Sequence, residues 1–202
     1  MKAPSCTLGF RVKSGWAAAV LVSGPPGPPG PPGPRSVPQL LASRIIELSD
    51  PAVAESRQPY HAGFGSAQSD ARKVDRLVRG IERFSRQSIA DLLGEWRDGG
   101  RRTVRAAGVV VPSLTDPATL ASPHMRAHAS EGRLFRTVVV DGLEQCGVAV
   151  RVILERDVYA LLGKALHRPA SRVKTQVTAL GDGAGRWRAE QKVAAAAAWL
   201  VS

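Results

Sequence analysis

A chain of 202 residues with 44% hydrophobic content is long enough to bury the core of one ordinary domain. Its 28 Lys and Arg residues outnumber 17 Asp and Glu for a net charge of +11, and no stretch approaches the ~20 apolar residues that span a bilayer. Two cysteines, Cys6 and Cys146, exclude a disulfide framework and a zinc knuckle, so the reducing cytoplasm is the expected compartment.

The first predicted element runs from Leu8, with a tight turn at Ser14-Gly15 and a second strand from Trp16 to Leu21. Arg11 and Lys13 ahead of the apolar run Trp16–Gly24 also have the outline of a secretion signal, although no small-x-small cleavage site is clear. Residues 24–34 read GPPGPPGPPGP, three collagen-type triplets, too few for a triple helix. A Pro/Gly-rich loop insert over 24–38 is expected within a single domain spanning 1–202, its prolines ending both flanking strands. It could also serve as a hook for a proline-binding partner.

A third strand is expected over Gln39–Leu48, then a polar loop over 49–69. From Asp70, Val74, Leu77, Val78, Ile81 and Phe84 recur at spacings of three and four, which predicts one apolar helix face. Arg72, Arg76, Arg79, Arg83 and Arg86 should cover its outer face, with a break near Ser88 and a stop at Gly99-Gly100. Val104–Val111 reads as a buried central strand. A helix from about His124 or Ala129 to Gln145, a strand over Val148–Leu154, and helices over Asp157–Leu166, Ala170–Leu180 and Arg188–Val201 complete the chain. Three early strands on short connections should be antiparallel, and two later ones reached through helices should be parallel.

This order, and three local patterns, resemble the ribonuclease-H-like superfamily and within it the RuvC-type Holliday-junction resolvases. The patterns are Gly9-Phe10 through Gly15-Trp16-Ala17, Glu131-Gly132-Arg133 with Cys146-Gly147-Val148, and Lys174-Thr175-Gln176-Val177 with the Ala-rich last helix from Glu190. The segments Ser56–His61 and His124–Arg136 also resemble an uncharacterised bacterial family. The superfamily resemblance implies an α/β fold: a mixed five-stranded sheet, three strands antiparallel then two parallel, with helices on both faces. It implies cleavage only where three or four carboxylates hold two magnesium ions. Here Arg11 stands where the first-strand acid is expected. Val109–Ser113 offers no glutamate, and Lys192 and alanines follow Glu190. The resemblance therefore implies the fold and nucleic-acid contact rather than resolvase-type cleavage, and Arg11 reads as part of an anion-facing surface or a solvent-facing strand end.

Two polar clusters remain. In the first, Arg57 can fork onto a phosphate, and Tyr60 and His61 can stack on a base. The competing reading pins the loop by Tyr60 and pairs Arg57 with an acid. In the second, His124, His128 and Glu131 fall on one face if the helix has already begun, with Arg126, Arg133 and Arg136 nearby. That spacing suits zinc, but it equally suits a polar cluster at a helix start that pairs internally or binds an anion. No P-loop is present. Glu155-Arg156-Asp157 closes the last strand, where ligands gather in open α/β sheets; alternatively Asp157 caps the next helix.

The leading expectation is that Arg57, Tyr60, His61, His124, Arg126, His128, Glu131, Arg133 and Arg136 converge on nucleic acid or a phosphorylated ligand, with no cofactor, no metal and no membrane partner. The alternatives are a metal-dependent hydrolase or nuclease with a rebuilt His/Glu site, and a structural interaction domain.

Overall fold

The computed structural model describes residues 5–23, 37–62 and 66–202. Most of the expected Pro/Gly-rich insert, residues 24–36, lies outside the described residues. Five strands form one sheet: β1 (Ser5–Lys13), β2 (Trp16–Ser23), β3 (Leu40–Glu47), β4 (Thr103–Val111) and β5 (Ala149–Leu154), in the order β3-β2-β1-β4-β5. β1 pairs antiparallel with β2, and β2 with β3. β4 lies parallel to β1, and β5 parallel to β4. The fold class is the expected one: the three early strands pair antiparallel, and pairing is parallel where a helix must carry the chain back across the sheet.

Among the described residues, five α-helices cover the two faces: α1 (Ala71–Trp96), α2 (Pro123–Gln145), α3 (Val158–Leu166), α4 (Ala170–Ala179) and α5 (Ala189–Leu200). Side chains alternate along β1. Leu8, Phe10 and Val12 enter the core built with α1 and α2, while Thr7, Gly9 and Arg11 point to the α5 face. The second core joins Val20, Val22, Val110 and Ile153 to α3, α4 and α5. Trp16–Ser23 is therefore an inner strand whose residues 17–22 are buried, and the secretion-signal reading of that segment gives way.

α1 starts at Asp70, whose side chain accepts from the Lys73 backbone N–H at 3.0 Å. The five arginines of its outer face are exposed. The break expected near Ser88 does not occur, because Ser85, Ile89, Leu92 and Leu93 are all buried and hold the helix in one piece. Where it stops, Asp98, Gly99 and Gly100 adopt φ of 49°, 60° and 88°, the left-handed conformation that ends helices.

α5 owes its composition to its seat. Gly9 and Gly108 are register partners on β1 and β4. A Cβ on Gly9 would fall 1.7 Å from the Ala194 carbonyl oxygen, and one on Gly108 2.7 Å from that of Ala197. The helix thus lies directly on the backbone of the central strands, and Ala194–Ala198 are wholly buried there. The Thr7 hydroxyl adds a buried bond to the Ala198 carbonyl at 2.8 Å.

Candidate functional site

The loop after β3 brings one predicted cluster to the other. Ser56 is buried and its hydroxyl bonds the Asp50 and Val53 carbonyls at 3.1 and 2.5 Å, folding the loop on itself. The chain then passes buried Pro59 to His61, which pairs with Ala67 in an isolated antiparallel bridge. α2 begins at Ser122, with Pro123 preset for its first turn. The start is early enough that His124, His128 and Glu131 share a face, as their spacing requires.

Three imidazoles meet at this junction. Ring centroids of His61 and His128 are 4.4 Å apart, those of His124 and His128 4.4 Å, and those of His61 and His124 5.3 Å. His124 Nε2 and His128 Nε2 are 3.1 Å apart. His61 Nδ1 lies 2.6 Å from Glu131 Oε1, with the His61 side chain 6% and the Glu131 side chain 1% exposed. Among the described residues, His61 Nε2 and His124 Nδ1 are buried without a hydrogen-bond partner. Burial pushes the Glu131 carboxyl up from its ordinary value, against the His61 contact and the Tyr60 backbone, which favour the carboxylate. Burial, then the neighbouring His61 and His124, push His128 down towards the neutral ring.

His128 also walls a cavity of about 330 Å³ at the end of β4, with Ser113, Thr115, Met125, Arg133 and Arg136 among the other lining residues. None of the lining residues is acidic. A larger cavity of about 560 Å³, between the loop and α1, is lined by Asp50, Arg76, Leu77 and Phe84 among others and shares no residue with the histidine cluster. The smaller one is the better candidate because the converging polar groups and the shifted pKa values are beside it.

The nine residues expected in one site divide. His61, His124, His128 and Glu131 come together, and Arg133 and Arg136 line the adjoining cavity. Tyr60 lines a neighbouring depression with Arg133. Arg57 instead bonds Glu47 at 3.2 Å and packs against the β1–β2 turn at Gly15, so the pairing with an acid is what the fold contains. Arg126 donates to the Leu120 and Ala121 carbonyls at 2.8 and 2.7 Å and clamps the loop before α2.

Arg11 is neither anion-facing nor solvent-facing. It is 2% exposed and forks onto Glu155, Nε to Oε1 at 2.9 Å and Nη2 to Oε2 at 2.5 Å, while Nη1 donates to the Val12 carbonyl. Glu155 follows β5, so the pair ties the ends of β1 and β5 across β4. The alternative reading of this strand exit, a cap by Asp157, does not hold, since its side chain makes no bond to the α3 N-terminus.

No protein-family model matches the chain, nor does any curated protein sequence. Solved structures do. The Thermus thermophilus RuvC structure superposes with a TM-score of 0.56 at 13% identity, covering 96% of this chain and 92% of that one. T. thermophilus RuvC in complex with Holliday junction substrate gives 0.55 at 12% identity, covering 97% and 91%. The fold is ribonuclease-H-like. At this identity the likeness concerns the fold, and the ribonuclease-H-like frame here carries its own polar groups at the strand ends.

Proposed function

We propose that this chain is a ribonuclease-H-like nucleic-acid-binding domain that does not cleave by the two-magnesium route of the resolvases. The observation that carries the reading is the cavity at the end of β4, whose charged lining is wholly cationic. Arg136 there suits phosphate oxygens, as does Arg133, whose exposed pair with Asp116 at 3.7 Å a phosphate would displace. Ser113 and Thr115 add hydroxyl donors, and the net charge of +11 raises the local concentration of polyanions. The solved neighbour bound to a Holliday junction supports nucleic acid over other phosphorylated ligands. Against two-magnesium cleavage stand the Arg11–Glu155 pair at the head of the sheet and the alanines of α5 seated on Gly9 and Gly108. A magnesium pair needs converging carboxylates, and the acid nearest Arg11 is already neutralised by it.

Fluorescence anisotropy with a labelled four-way junction, a duplex and a single strand tests this. Binding should weaken steeply between low and physiological salt, as counterion release requires. An Arg133→Ala/Arg136→Ala variant should bind about 10-fold more weakly at low salt, each lost phosphate contact also flattening the salt slope by about one. No cleavage product should accumulate with magnesium or manganese. Absence of binding at low salt rejects the binding reading, and magnesium-dependent cleavage that survives purification rejects the rest.

A further inference from the structure

We propose that His61, His124 and His128 bind one zinc-type divalent cation, with Glu131 holding His61 in its ligating orientation. One ring nitrogen from each histidine lies within 4.8 Å of the other two. Tetrahedral zinc with Zn–N bonds of about 2.05 Å places its ligand nitrogens about 3.3 Å apart, and the His124 and His128 Nε2 atoms are 3.1 Å apart. His128, 54% exposed, is free to make the remaining adjustment.

His61 supplies the second observation. Its side chain is more than nine-tenths buried, its Nδ1 is taken by Glu131, and its Nε2 has no partner among the described residues. A buried polar atom left without a partner is costly, and a ligand that engages it relieves that cost. When Glu131 accepts from Nδ1–H, Nε2 presents a lone pair. Such a lone pair repels an anion and welcomes a cation. A carboxylate behind a ligating imidazole is how proteins fix the tautomer and raise the basicity of a metal-bound histidine. Three imidazoles without thiolate favour zinc over magnesium or calcium, which prefer oxygen. Because His128 also walls the cavity at the end of β4, the fourth position is filled from that side by water or a ligand oxygen. The inference does not rest on nucleic-acid binding.

The test is isothermal titration of the untagged, EDTA-treated full chain with zinc chloride, with magnesium chloride and inorganic phosphate as opposing cases. One equivalent of zinc should bind, and magnesium should not. His124→Ala and His128→Ala both change side chains in the first turns of α2, and circular dichroism should report an unchanged fold. Each should weaken zinc at least about 10-fold, and Glu131→Gln by about 10–100-fold at unchanged stoichiometry. Cobalt substitution should give the intense visible bands of a tetrahedral site in the parent chain and not in His128→Ala. Zinc binding of equal strength in the parent and both histidine variants overturns the site. So does saturable phosphate binding that His128→Ala abolishes while zinc does not bind.

Discussion

Replacing Gly9 by alanine should destabilise the domain by more than about 3 kcal/mol, beyond the ordinary cost of overpacking a core. The new methyl carbon would sit 1.7 Å from the Ala194 carbonyl oxygen and 2.9 Å from the Ala198 backbone nitrogen. Both are helix backbone, so no rotamer change relieves the clash and α5 must lift from β1. Lifting it also opens the core in which Ala194–Ala198 and Trp199 are wholly buried. The contrast is Gly94→Ala on the exposed side of α1, where an added Cβ meets nothing within 4 Å. That change should stabilise by about 0.5–1 kcal/mol, because alanine is the better helix former. Urea unfolding of the two variants decides the matter: a Gly9→Ala midpoint equal to that of the parent would mean that α5 does not rest on β1.

The second large effect is asymmetric. Removing Glu155 with Glu155→Ala leaves Arg11, 2% exposed, as an unpaired buried cation. Breaking a buried pair in this way costs about 3–5 kcal/mol. Since Glu155 is 41% exposed and its contribution is screened by water, the lower end, about 3 kcal/mol, is expected. Arg11→Met keeps the volume, removes the buried charge and leaves Glu155 free to hydrate, so its cost should stay below about 1 kcal/mol. Equal unfolding midpoints for the two variants would contradict this account of the pair. The same measurements bear on function. A cation that is held for structural reasons on the α5 face of β1 is part of the frame rather than of a ligand surface.

How much of this was legible in the residues differs between frame and site. The strands and helices could be read because each carries its own period: Val78 and Ile81 in α1, the apolar run Val109–Val111 in β4, glycines at the left-handed ends. The pairing of His124 with His128 and Glu131 on one face could also be read, since helical spacing alone requires it. The partner of that face could not. His61 lies on a loop about sixty residues earlier, and its sequence neighbours suggested base stacking. Only the folding of that loop by Ser56 and the seat of Glu131 beneath His61 turn two weak motifs into one cluster. Arg57, three positions before Tyr60, looked equally suited to the site, yet the local turn at Ala54–Arg57 sends it to Glu47.

Arg11 marks the same boundary. Its place in the first strand is read from the sequence, where a cation stands at a position for which the resemblance leads one to expect an acid. Its partner was not, because Glu155 is 144 residues away and is brought near only by β5 lying beside β4. The sequence by itself determined the order of elements, the mixed sheet and the alanine stripe of α5, all of which arise from short-range periodicity and local backbone preference. The tertiary structure decided which histidines meet, which arginines are spent on internal acids and carbonyls, and where a cation-lined cavity opens. Those outcomes depend on contacts between distant segments, whose geometry is set by packing against a common core and not by any pattern within either segment.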